Sequence, residues 1–216
     1  MTDWATISSL ATAGATLALA VATFSSVRSA NRAARTAERA LEARLRPLLL
    51  SSRLEDPTQK IIWADEHKTT VGGGRAAVEV GADGTIYLAM SVRNVGAGMA
   101  VLHGWYPRPE WLSGIPAPSD VRHEDPERFR RLTRDLFVPA GDFGFWQGAI
   151  RDADDPLREG LPDAIAARRR FGIDVLYGDH EGGQRIISRF TLAPAADSSW
   201  LCSVARHWNL DRPDPR

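Results

Sequence analysis

Between Asp3 and Arg28 lie twenty-four consecutive residues, Trp4 to Val27, without one charged side chain. A helix that runs along a soluble surface carries a polar, usually charged face, and this run has hydroxyls but no charge for more than six turns. At 1.5 Å per residue it spans about 36 Å as a helix, enough to cross a hydrocarbon core of roughly 30 Å. The expectation is a single membrane anchor, residues 1–27. Its apolar character is modest, because seven Ala, four Ser, four Thr and Gly14 stand beside Ile7, Leu10, Leu17, Leu19, Val21, Phe24 and Val27. Each large apolar residue favours insertion by only about 0.3–0.6 kcal/mol, and the hydroxyls take part of that back. A cleaved signal peptide is the first competing reading, with small residues around Ala20 and Ala22, but it wants a basic leading segment and only Asp3 is charged there. A buried helix of a soluble protein is the second.

Charge is placed around this run in one direction. Residues 1–54 carry seven Arg against Asp3, Glu38 and Glu42, a net of +4, and residues 55–216 carry 20 basic and 24 acidic side chains, a net of −4. Arg28, Arg32, Arg35, Arg39, Arg44 and Arg46 follow the anchor and none precedes it, so the positive-inside rule puts the amino terminus outside and the rest in the cytoplasm of an inner-membrane protein. Arg28, Arg32, Arg35 and Arg39 are expected to meet lipid headgroups. The acidic remainder has no basic field for nucleic acid, so no nucleic-acid partner is expected. Cys202 is the only cysteine, which excludes an internal disulfide and agrees with a reducing compartment.

Residues 28–46 are rich in Ala, Arg, Glu and Leu without Gly or Pro and predict a stalk helix, with Ala30, Ala34, Ala37, Leu41 and Leu45 as a narrow stripe and Pro47 as its end. Within the anchor, Gly14, Ala18 and Ala22 share one face at four-residue spacing, a small-residue row that suits self-association, and Ser26 extends it. Such contact would also offer partners to the anchor's hydroxyls.

After Pro47 the period changes to two. Leu48 and Leu50; Ala76, Val78 and Val80; Ile86, Leu88, Met90 and Val92; Met99, Val101, His103 and Trp105; Phe143 and Phe145; Phe171, Ile173, Val175 and Tyr177; Ile186, Phe190 and Leu192; and Trp200, Cys202 and Val204 alternate as strands with one buried face. Turn residues separate them. About eight short strands indicate a mainly β domain over 47–212, an antiparallel immunoglobulin-like β-sandwich, followed by a tail at 213–216. A Pro-rich loop from Pro107 to Pro126 leads into PERFRRLTRDLF, read as a short helix that buries Phe129, Leu132 and Leu136 and exposes Arg128, Arg130, Arg131 and Arg134. A second short helix is expected before Arg168, Arg169 and Arg170.

The stretch VRNVGAGMAVLHGW, 92–105, carries an Asn-x-Gly turn at Asn94 and Gly96, with Gly98 beyond it, read as a hairpin whose Asn and Gly take positive φ. With Arg46-Pro-Leu-Leu-Leu50 ahead of it, this resembles the N-x-G hairpin of bacterial immunoglobulin-like modules. The whole layout looks like a broad group of actinobacterial-type single-pass membrane proteins without an assigned function, built from an anchor, an Ala/Arg stalk and an immunoglobulin-like domain. That resemblance implies a sandwich and no particular activity.

Chemistry is sparse. Asp179, His180 and Glu181 form the densest polar cluster, but Glu181, Gly182 and Gly183 read as a turn between strands, and neighbouring strand residues point to opposite faces. His67, His103, His123 and His207 show no metal-ligand spacing, no phosphate-binding or nucleophile motif is present, and Cys202 falls in the core. No catalytic residue, cofactor or metal is therefore expected. The reading is a non-enzymatic, membrane-anchored binding or scaffolding protein, with the bilayer and a protein as partners, Trp111 in the Pro-rich loop as a contact, and a homodimer through the anchor. One alternative is an effector whose β domain senses a small molecule, a layout that resembles some bacterial defence proteins. Another is a hydrolase with its site near His180 and Glu181.

Overall fold

The computed structural model describes residues 4–108 and 122–213. The chain divides into two compact units, Met1–Arg44 and Leu45–Arg216. The first holds one unbroken helix, α1 (Trp4–Arg44), so anchor and stalk are continuous, as their shared lack of Pro and abundance of Ala allow. It stops at Arg44, ahead of Pro47, which disfavours helical geometry in the residue before it. Thr12, Thr16, Thr23 and Thr36 each donate to the carbonyl four residues back, and Ser25 to the one three back, at 2.8–2.9 Å. Those hydroxyls are satisfied within the helix itself, so they need no second helix, and this support for self-association falls away.

The second unit is mainly β. Its strands are β1 (Leu49–Ser51), β2 (Gln59–Ile62), β3 (Lys68–Val71), β4 (Arg75–Val80), β5 (Ile86–Asn94), β6 (Ala100–Arg108), β7 (Arg130–Arg131), β8 (Phe137–Val138), β9 (Phe143–Ile150), β10 (Phe171–Gly178), β11 (Arg185–Pro194) and β12 (Trp200–Asn209). Ten of them form one sheet in the order β1-β5-β4-β12-β11-β10-β6-β7, with β8 also on β6 and β9 also on β5; β2 and β3 form a separate hairpin. Every pairing is antiparallel. Between the two wings, β12 meets β4 through two rungs, Trp200↔Ala76 and Leu201↔Arg75.

One apolar cluster gathers side chains from both wings of this sheet: Ile86, Leu88, Met90 and Val92 from β5, Trp146 and Ile150 from β9, Phe171 to Tyr177 at alternate positions of β10, and Ile186, Phe190, Leu192, Trp200 and Cys202 from β11 and β12. Wings that meet in one core must curl over it. β5 is buried on both faces, because the β2–β3 hairpin lays Ile61, Trp63 and Val71 over Tyr87, Ala77 and Ala89. The hairpin also covers the open edge of β9: Gln59 donates to Gly144 O at 2.9 Å and the Trp63 indole to Gly148 O at 3.2 Å, meeting carbonyls that a bare edge would leave to solvent.

Several sequence expectations need correction. In β1 the core residue is Leu49, fully buried, while Leu48 and Leu50 are intermediate, so the strand enters one residue out of the expected phase. Val80 and Met99 are exposed. In β6 the register against β10 shifts between Leu176 and Tyr177, so Leu102 and Trp105, of opposite parity, both reach the core, and Val101 and His103 do not. The segment 126–137 is no α-helix. A 3-10 turn at Pro126–Arg128 is capped by Asp125, Arg130 and Arg131 pair with Trp105 and Gly104 as β7, and Asp135 adopts φ 52°, which ends any helical path. Phe129, Leu132 and Leu136 have helical spacing, but the open edge of β6 competes for this backbone and wins. The second expected helix is present as α2 (Leu161–Ala166).

Gly96 and Gly98 do not take positive φ; among the described residues the positive-φ glycines are Gly74, Gly84, Gly141 and Gly182. They are small for another reason. A Cβ on Gly96 would lie 2.3 Å from Arg46 O, and one on Gly98 1.7 Å from Leu45 O, because the lead-in to β1 passes directly over this turn. Asn94, fully buried, ties the two together. Its Oδ1 accepts from Leu48 N (3.1 Å) and Gly96 N (3.0 Å), and its Nδ2 donates to Gly98 O (2.7 Å) and Val138 O (3.1 Å).

Candidate functional site: a cleft beside the paired tryptophans

The cluster singled out in the sequence is a turn. Gln184 N donates to Asp179 Oδ1 at 3.1 Å, Asp179 N to Gln184 O at 3.1 Å, and Gly182, φ 79°, closes the loop. His180 and Glu181 lie within it, exposed and 4.0 Å apart, and among the described residues they belong to no group of three potential metal ligands. Arg28, Arg32 and Arg35 lie exposed on α1, as do Gly14, Ala18 and Ala22; the Arg39 side chain and Trp111 fall outside what the structure describes. Cys202 is buried against Met90 Sδ at 3.6 Å, and burial pushes its thiol pKa up, which keeps it a protonated, inert core residue.

Two buried polar networks were not legible as such. Ser188 Oγ lies 2.6 Å from His207 Nδ1 and 2.8 Å from the Tyr177 hydroxyl, which accepts from Leu49 N. A Ser–His contact resembles a nucleophile pair, but Ser188 is fully buried and no substrate carbonyl can reach it. Burial raises the Tyr177 pKa to about 12 and lowers that of His207, so both stay neutral. On the other face of β10 and β11, Arg189 grips Asp174 with two hydrogen bonds of 2.7 and 2.8 Å, with its guanidinium 4.7 Å from the Trp208 ring. Asp174 and Arg189 are almost fully buried, and breaking a pair of this kind leaves an uncompensated charge.

The arrangement with room for a ligand lies where β6 and β9 approach each other. Trp105 on β6 meets Trp146 on β9 edge to face, ring centroids 5.3 Å apart. Gly148 makes this possible, since a Cβ there would sit 2.9 Å from one indole and 3.0 Å from the other. Beside them opens a cleft of about 140 Å³ lined by Trp63 and Ala64 from the β2–β3 turn, Trp105, the β7–β8 connection from Arg131 to Arg134, and Gln147 to Ala149 with Arg151. At about 30 Å³ per molecule that is room for four or five waters.

The polar groups of the cleft are unevenly satisfied. Arg151 donates to Asp65 Oδ2 at 2.8 Å, and the Tyr87 hydroxyl donates to the same oxygen at 2.9 Å. The Arg151 hydrogen bond, helped by Tyr87 and opposed by desolvation, holds the Asp65 pKa down at about 2, so this carboxylate stays ionised and committed to Arg151. Arg130, next in line, is committed to Asp155 and stacks 5.4 Å over Trp105. Arg131 and Arg134 make no ion pair among the described residues and are exposed. Gln147 is 8 % exposed; its amide nitrogen donates to Asp135, while its Oε1 is buried without a partner among the described residues. Trp146 Nε1 is also without one, in the core, and nothing in the structure explains it.

Sequence reasoning missed this cleft because four segments distant in the chain build it, and because the arginines had been assigned to a helix. The one local signal was Gly-Phe-Trp-Gln-Gly, 144–148, where a Trp and a Gln sit between glycines in a strand; a glycine in a strand interior often marks close approach of another group. No group of three or more potential metal ligands occurs among the described residues. Comparison with protein-family models, with curated proteins and with solved structures finds no match for this chain.

Proposed function

We propose that this protein is a membrane-anchored, non-enzymatic binding or scaffolding module, with α1 in the inner membrane and the β domain in the cytoplasm. The observation that carries it is the apolar part of α1: within Leu10–Glu38 an 18-residue stretch reaches a mean hydropathy of 1.6, and none of that stretch is buried. A buried helix of a soluble domain would have its apolar face covered. Here Leu10, Leu17, Leu19, Val21, Phe24 and Val27 are all more than half exposed. At about 0.3–0.6 kcal/mol per large side chain, those six together favour insertion by roughly 2–4 kcal/mol. Arg28, Arg32, Arg35 and Arg39 then sit at the headgroups, and self-association through Gly14, Ala18 and Ala22 belongs to the same proposal, as does a protein contact at Trp111. For the β unit the finer architecture proposed is the immunoglobulin-like sandwich, supported by a core that draws on both wings of one antiparallel sheet.

The experiment is alkaline extraction of membranes from cells expressing the full chain, with the intact mass measured. The expected result is an uncleaved chain that stays in the membrane pellet; release to the supernatant, or a mass lacking the first twenty-odd residues, overturns the anchor. The second reading, a β domain that senses a small molecule, gains support from the cleft beside Trp105. A hydrolytic site at His180 and Glu181 gains none, because both are exposed turn residues.

A further inference from the structure

We infer that the cleft between Trp63, Trp105, Arg131, Arg134 and Gln147 binds a phosphate monoester carried on a small hydroxylated compound. The inference rests on the sensing reading. Three features of the cleft choose the ligand. Arg131 and Arg134 stand on one short connection, unpaired among the described residues, and guanidinium groups recognise phosphate oxygens with charge-assisted hydrogen bonds. The other charges facing the cleft are Arg151, matched by Asp65, and Asp135, which accepts from Gln147, so the cleft keeps a net positive charge of one. Gln147 Oε1, buried and unpartnered, requires a donor, and a hydroxyl or N–H on the ligand supplies it. The indoles of Trp63 and Trp105 give apolar wall for the body of the ligand.

About 140 Å³, open to solvent on one side, is room for the phosphoryl group, and the hydroxylated body of the ligand extends towards the mouth of the cleft. Phosphate is favoured over carboxylate by the second charge of the dianion, which faces two free guanidiniums rather than one.

The test uses the full chain in detergent micelles, titrated with ribose 5-phosphate, ribose and inorganic phosphate and followed by calorimetry and tryptophan fluorescence. Ribose 5-phosphate is expected to bind more tightly than inorganic phosphate, and ribose not at all at millimolar concentrations. Arg131→Ala and Arg134→Ala, both at exposed positions that leave folding intact, should each weaken ribose 5-phosphate about tenfold, equivalent to ~1.4 kcal/mol. Gln147→Met should remove the advantage of ribose 5-phosphate over inorganic phosphate and leave the affinity for phosphate itself. A parallel arm presents vesicles of phosphatidylcholine with and without phosphatidic acid. A response to phosphatidic acid alone that Arg131→Ala and Arg134→Ala abolish keeps the monoester and makes its source a lipid headgroup, whereas one that both variants retain belongs to the stalk arginines and overturns the inference. Equal binding of ribose and ribose 5-phosphate, unchanged affinity in both Arg variants, or no response to any probe overturns the inference. None of these outcomes touches the membrane extraction experiment, so the anchor and the cleft stand or fall separately.

Discussion

Asn94 has no spare hydrogen-bonding capacity: two amide N–H groups donate to its Oδ1 and its Nδ2 donates to two carbonyls. Replacing it by Ala orphans buried groups that cost about 1–3 kcal/mol each, so Asn94→Ala is expected to lower stability by roughly 3 kcal/mol even with partial rehydration. Gly98→Ala must push the backbone at Leu45 aside and should cost about 2 kcal/mol or more, whereas Gly160→Ala, with nothing within 4 Å of the added carbon, should stay within about 0.5 kcal/mol. Urea unfolding of the β domain in the full chain measures all three; equal midpoints for the two glycine variants would show that the crossing over Gly98 is looser than described. The sequence pointed to this Asn-x-Gly correctly as a special position and assigned it the wrong physics, left-handed backbone in place of steric clearance. A turn glycine and a clearance glycine are identical in one sequence, since the neighbour that fills the space is about fifty residues away at Leu45 to Leu48.

Elements are legible where alternate positions feed the main core: β10, β11 and β12 keep the expected alternation through Phe171 to Tyr177, Ile186 to Leu192 and Trp200 to Val204. Their other parity mixes Gly172, Asp174, Arg189 and Ser203 with Leu176 and Ile187, which pack with Phe129 and Trp208 in a second cluster that the alternation does not announce. The β2–β3 hairpin escaped notice since Lys60, Lys68, Thr69 and Thr70 dilute it and only Ile61, Trp63 and Val71 point inward. β6 lost its phase to a bulge, which a period-two pattern cannot register. For α1 the pattern was unambiguous, and its proposed self-association is the element-scale prediction. Gly14, Ala18 and Ala22 advance by 40° per step, and Ala20 lies on the far side of the helix. Gly14→Ile and Ala18→Ile should each reduce the signal of a membrane two-hybrid assay severalfold, with Ala20→Ile unchanged. Since Thr12, Thr16 and Thr23 are already bonded within the helix, close backbone packing must supply most of the contact, and equal signals from all three variants would remove the dimer from the proposal.

At the scale of the whole molecule, the proposed orientation of the β domain rests on one asymmetry of charge. Arg28, Arg32, Arg35, Arg39, Arg44 and Arg46 follow the apolar run and no basic side chain precedes it, while the lone, buried Cys202 leaves the domain without the disulfides that many exported domains use. Anionic lipid on the cytoplasmic leaflet adds about 1 kcal/mol per basic residue near the surface, so four arginines along two turns and more of stalk bias the orientation by a few kcal/mol, enough for essentially one topology. Protease added to intact protoplasts should therefore leave the β domain whole, with digestion only after lysis. Replacing Arg28, Arg32, Arg35 and Arg39 by Ser should make a measurable fraction digestible without lysis, because the remaining Arg44 and Arg46 lie further from the membrane edge. Complete digestion of the unaltered domain in intact protoplasts would place it outside. The ligand proposed for the cleft would then have to be met in that compartment, where cytoplasmic sugar phosphates are not available to it.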